Sequence, residues 1–152
     1  MARIGVLGAG SFGTAVAVHA ARAGHTTTLW VRREEAAAEI DAARENRRYL
    51  PGVSLPAGLA ITHDLAALAD SQPLVVAAPS HGYRAVLREF LAARTSREPL
   101  TVVSATKGIE AETLARMSRV SAEECERAAT PARFAAFSWP PFAAVLARAG
   151  PS

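Results

Sequence analysis

Short apolar runs alternate with amphipathic stretches along this chain, so the hydrophobic period switches repeatedly between two and 3.6. Ile4-Gly5-Val6-Leu7 is the first run, and helical spacing follows over 13–23, with Gly24 as a natural stop. His25-Thr26-Thr27-Thr28-Leu29-Trp30-Val31 is β-branched and aromatic and predicts a second strand, after which 34–44 reads as an alanine- and charge-rich helix. Residues 46–52 form a loop, and a proline-punctuated segment runs on to Pro56. A short strand is predicted over 59–62, with Thr62 or Asp64 as the cap of a small helix over 65–69. Leu74-Val75-Val76-Ala77-Ala78 is apolar throughout, as in a parallel strand buried on both faces. Tyr83, Val86, Leu87, Phe90 and Leu91 recur at i, i+3, i+4, i+7 and i+8, which is one core-facing side of a helix. A strand over 100–104 precedes a helix with Leu114, Met117 and Val120 on one face, and 133–138 predicts a last strand that Trp139-Pro140-Pro141 interrupts. Strand and helix alternating in this way give an α/β fold: a Rossmann-like, doubly wound, mainly parallel sheet in one domain over 1–143, with 144–152 an unassigned tail.

Composition narrows the class. At 152 residues, half of them apolar, the chain fits one domain with a real core. A formal charge of +3 with scattered arginines argues against nucleic acid as a partner. Cys125 stands alone, which excludes an internal disulfide, offers no metal-ligand cluster and reads as a buried, idle thiol. His19 and His25 flank a helix end and read as ordinary polar positions rather than a metal pair. The charged runs 44–48 and 123–127 read as solvated faces. The uncharged stretch 4–21 is too rich in glycine and small residues for a signal or membrane segment, so a cytoplasmic protein without a membrane span is expected.

The chemistry starts at Gly8-Ala9-Gly10-Ser11-Phe12-Gly13, between the first strand and the first helix. In this context the pattern is a dinucleotide loop: Gly8 for the tight turn, Gly10 for close backbone approach to a pyrophosphate, Gly13 for helix–strand packing. The N–H groups at the helix start then face an anion. Arg32 and Arg33 end the second strand, where an NAD binder often carries an acid for the ribose 2′-hydroxyl. Guanidinium forks suit a 2′-phosphate, so NADP(H) is favoured, while Glu34 reaching a ribose keeps NAD(H) as the alternative. Sixteen arginines accompany a single lysine, Lys107, at another strand end. A compact ammonium there suits an anionic substrate or a carbonyl polarised as hydride arrives; the plain alternative is a surface lysine in a Thr-Lys-Gly turn.

The segments GAGSFGTA, RENRRYLPG, VVAAPS and ATKGIE, in this order and spacing, resemble NAD(P)-dependent glycerol-3-phosphate dehydrogenase over residues 1 to about 117. The resemblance implies reversible hydride transfer between NAD(P)H and dihydroxyacetone phosphate, giving sn-glycerol 3-phosphate for phospholipid synthesis. It assigns cofactor contacts to Ser11, Phe12, Arg32, Arg33, Tyr49 and Ala143, and gives Lys107 contact with both cofactor and substrate. It also marks two departures. Where the family carries Ser-Gly-Pro-Ser-Phe-Ala, this chain has Ser138-Trp139-Pro140-Pro141-Phe142-Ala143, so Trp139 fills the place of a glycine and Pro141 removes a hydroxyl and a backbone donor. The family's helical C-terminal domain, with its proton-transferring lysine, has no counterpart here, so the isolated chain is expected to be inactive. A non-catalytic NADP(H)-binding module is the rival reading. A ketopantoate-type reductase is a third, disfavoured by the RYLPG and TKGIE segments.

Overall fold

The computed structural model describes residues 1–138 and 143–148. In chain order it comprises β1 (Arg3–Leu7), α1 (Ser11–Arg22), β2 (Thr26–Trp30), α2 (Glu34–Ala43), β3 (Ala60–Thr62), a single 3-10 turn (Leu65–Leu68), β4 (Leu74–Val76), α3 (Ser80–Ala93), β5 (Leu100–Ser104), α4 (Met117–Arg127), β6 (Ala132–Ala136) and α5 (Ala143–Arg148). The six strands lie in the order β3-β2-β1-β4-β5-β6 and every neighbouring pair is parallel. The chain therefore winds outward from β1 in one direction and then, from β4, in the other, as the alternating pattern requires.

Side chains of the central strands alternate between two cores. Val6, Leu29 and Val75 enter an apolar cluster with Ala15, Val18 and Ile40 from α1 and α2. Leu7, Trp30, Leu74 and Val76 enter the other, with Tyr83, Leu87 and Phe90 of α3 and Val120 of α4. Each such side chain contributes about 1.5–3 kcal/mol on burial, so the apolar strands are committed to the middle of the molecule. The Cys125 thiol belongs to the second cluster, and burial pushes it up to about 11, out of the range of a reactive thiolate.

Several ends are set by local chemistry. α1 stops in a Schellman arrangement: Gly24 has φ +90, its N–H donates to Ala21 O, and the His25 N–H donates to Ala20 O. Asp64, rather than Thr62, caps the 3-10 turn by accepting from the Ala66 N–H at 2.9 Å. α4 begins later than its apolar spacing suggests. Leu114 has φ 57 and is 70% exposed, because 109–116 is closed by its own bonds: an Ile109–Arg116 bridge, Glu110 N–H to Ala115 O, and Leu114 N–H to Glu110 O. The stretch left unassigned at the end of the sequence contributes α5, which packs on α1, with Ala147 buried and its carbonyl accepting from Arg22. Trp139 and Pro141 lie outside the described residues.

Candidate dinucleotide-binding site

The parallel register aligns Leu7, Trp30, Thr62, Val76, Ser104 and Ala136 in one row across the sheet. Everything that follows these residues emerges at one carboxyl edge, and the winding reverses between β1 and β4, where a crevice opens. The crevice holds about 1030 Å³, and its wall includes the 8–13 loop, Arg32, Arg33, Tyr49 and Lys107.

The glycine loop is tight where it meets protein and open where it meets the crevice. Gly8 has φ +112, and a Cβ there would come within 2.9 Å of the Ala77 carbonyl. A Cβ at Gly13 would overlap the Gly8 carbonyl oxygen, whereas one at Gly10 would meet nothing within 4 Å. Gly10 is the N-cap of α1 and gives no side-chain cap, and the first turn closes only with the Thr14 N–H to Gly10 O bond. The N–H groups of Ser11, Phe12 and Gly13 thus precede the first intrahelical bond, at the positive end of a 12-residue helix. Open space over an uncapped helix start is what a pyrophosphate needs.

The loop is held from behind by Asn46, a residue sequence reasoning passed over inside a charged run. It is 1% exposed, and its Nδ2 donates to Ala9 O and to Thr14 Oγ1, both at 2.9 Å. Its Oδ1 accepts the Tyr49 N–H at 3.3 Å, and its carbonyl accepts the Leu50 N–H. One buried amide therefore ties the glycine loop to the turn that presents Tyr49. The available signal was its type: in a run of Arg and Glu, Asn is the residue that bonds backbone and tolerates burial. Arg44 departs from the solvated reading too, with φ 49 and donor bonds to Pro56 O and Leu59 O.

Charge in the crevice favours an anion. Arg32, Arg33, Arg47, Arg48 and Lys107 line it against Glu39, Glu45 and Glu89. The Arg32 guanidinium lies 3.9 Å from where a Cβ of Gly82, in the first turn of α3, would stand, so it bridges the mouth from β2 toward α3. Tyr49 is 45% exposed and carries the Arg48 guanidinium 5.2 Å from its ring centroid, leaving an aromatic face at the rim. Phe12 packs its ring on Phe137, just past β6, at 5.7 Å between centroids. Ala143 is the predicted contact that the fold does not bring to this wall: it packs, partly buried, against the core shared with α1.

Lys107 follows β5 and is exposed in the crevice, and no carboxylate among the described residues lies within ion-pair distance. Its neighbours are fixed. Thr106 Oγ1 donates to Ala78 O at 2.6 Å, tying the end of β5 to the end of β4. Glu110 receives both Nε and Nη2 of Arg84, at 2.6 and 2.8 Å, and this pairing with the Thr113 hydroxyl holds its carboxyl down at about 2. The 123–127 run, expected as a solvated face, is partly turned inward. Glu124 is 3% exposed and is bonded by Arg88 and Arg84, which hold it at about 2.

A doubly wound parallel sheet with a glycine turn, an open helix N-terminus and a cationic crevice at its switch point defines a dinucleotide-binding domain of the dehydrogenase type. Residues 3–152 match the family model described as the NAD-dependent glycerol-3-phosphate dehydrogenase N-terminus. The chain belongs to that family. It is 42% identical over its full length to glycerol-3-phosphate dehydrogenase [NAD(P)+] of Corynebacterium glutamicum, of which it covers 45%. It is 46% identical over 123 residues to the Acinetobacter baumannii enzyme of the same name, covering 80% of this chain and 34% of that one. Among solved structures it superposes on glycerol-3-phosphate dehydrogenase from Coxiella burnetii with a TM-score of 0.83 at 29% identity, covering 95% of this chain and 42% of that one. The chain thus spans less than half the length of these relatives, over their N-terminal part.

Proposed function

We propose that this chain is the NADP(H)-binding half of a glycerol-3-phosphate dehydrogenase, working in the cytoplasm on dihydroxyacetone phosphate and sn-glycerol 3-phosphate in the supply of phospholipid precursors. The observation that carries the reading is the convergence of the open Gly10 face, the Arg32–Arg33 pair and Lys107 on one crevice. When bound, the nicotinamide cofactor supplies the hydride exchanged with the substrate carbonyl. The N–H groups of Ser11 and Phe12 hold the pyrophosphate, as the open helix start allows. Arg32 and Arg33 take the 2′-phosphate, since a planar guanidinium fork pairs better with its dianion than with a ribose hydroxyl. Tyr49 offers its exposed ring at the rim, and Lys107 faces the anionic substrate and its carbonyl.

Taken alone, these 152 residues supply binding without a complete reaction site. The sequence holds no second lysine to move the proton that accompanies hydride. General acid–base help is worth about 10²–10⁴-fold and enclosure of the substrate more. The test is NADPH oxidation by the purified chain with dihydroxyacetone phosphate, followed at saturating cofactor. Binding with no turnover is the expected result. Turnover by the chain alone would contradict the division of labour proposed here.

A further inference from the structure

Outside the crevice, a dense cluster of ion pairs among the described residues sits at the junction of α3, α4 and the 105–116 loop. Arg84 sits at its centre: Nε and Nη2 grip Glu110, Nη1 holds Glu124 at 2.8 Å, and Nη2 also reaches Glu123 at 2.8 Å. Glu124, nearly fully buried, is shared with Arg88 one turn along α3. None of these side chains lines the crevice. What the network does hold is the far end of the segment that carries Lys107. The near end is pinned by Thr106 to Ala78 O, and the far end by Glu110 to Arg84. Between the two pins stand only Lys107, Gly108 and Ile109. Gly108 has φ +96 and passes beside Ser80 at the start of α3, with 3.9 Å between its ideal Cβ and Ser80 Oγ.

We infer that Arg84 is a positioning residue for Lys107, fixing the lysine loop over the crevice by anchoring Glu110 to the same helix whose first turn borders the cofactor site. The inference rests on the functional reading above for what Lys107 meets, but not for the anchoring. Geometry makes the anchor rigid. A bidentate guanidinium–carboxylate pair fixes an angle as well as a distance, and Thr113 closes the remaining side of Glu110 at 2.5 Å. The pairing also holds the Glu110 carboxyl below its ordinary range, so it stays ionised through mild acidification. Lys107 itself makes none of these bonds, which leaves its ammonium available while its backbone is held.

The test is amide NMR on the full 152-residue chain, as wild type, Arg84→Met and Glu110→Gln. Without ligand, the Glu110 and Leu114 amides, bonded to Ala115 O and Glu110 O at the far end of the lysine loop, should exchange with solvent about tenfold faster in Arg84→Met than in wild type, with amides of β1 and α1 unchanged. On titrating NADPH, Ser11 and Phe12 should shift in all three chains, while the Lys107 shift seen in wild type is lost in Arg84→Met and reduced in Glu110→Gln. Should Arg84→Met fail to fold, Glu110→Gln, which keeps size and neutral hydrogen bonds, decides by the same two readouts. Unchanged exchange and an unchanged Lys107 shift in a folded variant would overturn the inference. If Ser11 and Phe12 do not respond to NADPH even in wild type, the cofactor reading fails instead, and the ligand-free exchange still judges Arg84.

Discussion

A Cβ at Gly13 overlaps the Gly8 carbonyl oxygen and lies 3.0 Å from the Ala77 side chain, whereas a Cβ at Gly10 meets nothing within 4 Å. Two glycines three residues apart should therefore fail in different ways. Gly13→Ala forces backbone apart in a packed turn and is expected to cost about 1–3 kcal/mol in chemical denaturation. Gly10→Ala should leave stability within about 0.5 kcal/mol. It should nonetheless weaken NADPH binding by about tenfold or more, because its methyl occupies the approach to the helix start. Asn46→Ala is a third case. It removes the donor to Ala9 O and to the buried Thr14 Oγ1 and should cost about 1–3 kcal/mol, with cofactor affinity falling alongside as the loop loosens.

Among the elements, the lysine loop is stabilised by carboxylates that titrate low, and the sign of the pH effect follows. Glu110 and Glu124 fall from an ordinary 4.5 to about 2 in the fold, so the unfolded chain binds protons more readily than the native one. Their contribution is complete above about pH 4.5 and is lost as pH drops toward 2. Thermal melts over this range should show a steep fall in Tm for wild type and a shallower one for Arg84→Met, in which the Glu110 shift is relieved. Identical slopes would mean the pairing adds nothing to the fold. The strands and α1, α2 and α3 were legible in the sequence because each obeys a local rule: period, stop glycine or buried apolar run. The start of α4 was not. Leu114 keeps helical spacing with Met117 and Val120, but the bonds that close 109–116 on itself, with Glu110 anchored by Arg84 from 26 residues away, outweigh that pattern. The site reads the same way. Gly8 to Gly13, Arg32 and Lys107 stand out by type and by place after a strand, whereas Asn46 matters through contacts 32 and 37 residues away.

At the scale of the whole molecule, a sheet with all its strand ends in one row presents a cationic crevice, while the chain spans only 45% of its Corynebacterium relative. A domain of this kind can select a cofactor without completing a reaction. If Arg32 pairs with a 2′-phosphate, Arg32→Ala should raise the Kd for NADPH about tenfold and leave that for NADH nearly unchanged, since only the former loses a charge-assisted bond. Equal loss for both would remove the 2′-phosphate assignment. The most direct test of the central claim is a fluorescence titration of the 152-residue chain with NADPH. Trp30 ends β2 on the crevice wall and reports on its occupancy. Saturable one-to-one binding, abolished or strongly weakened in Gly10→Ala at unchanged stability, is the predicted result. No saturable binding by a folded chain, or binding that Gly10→Ala leaves untouched, would contradict it.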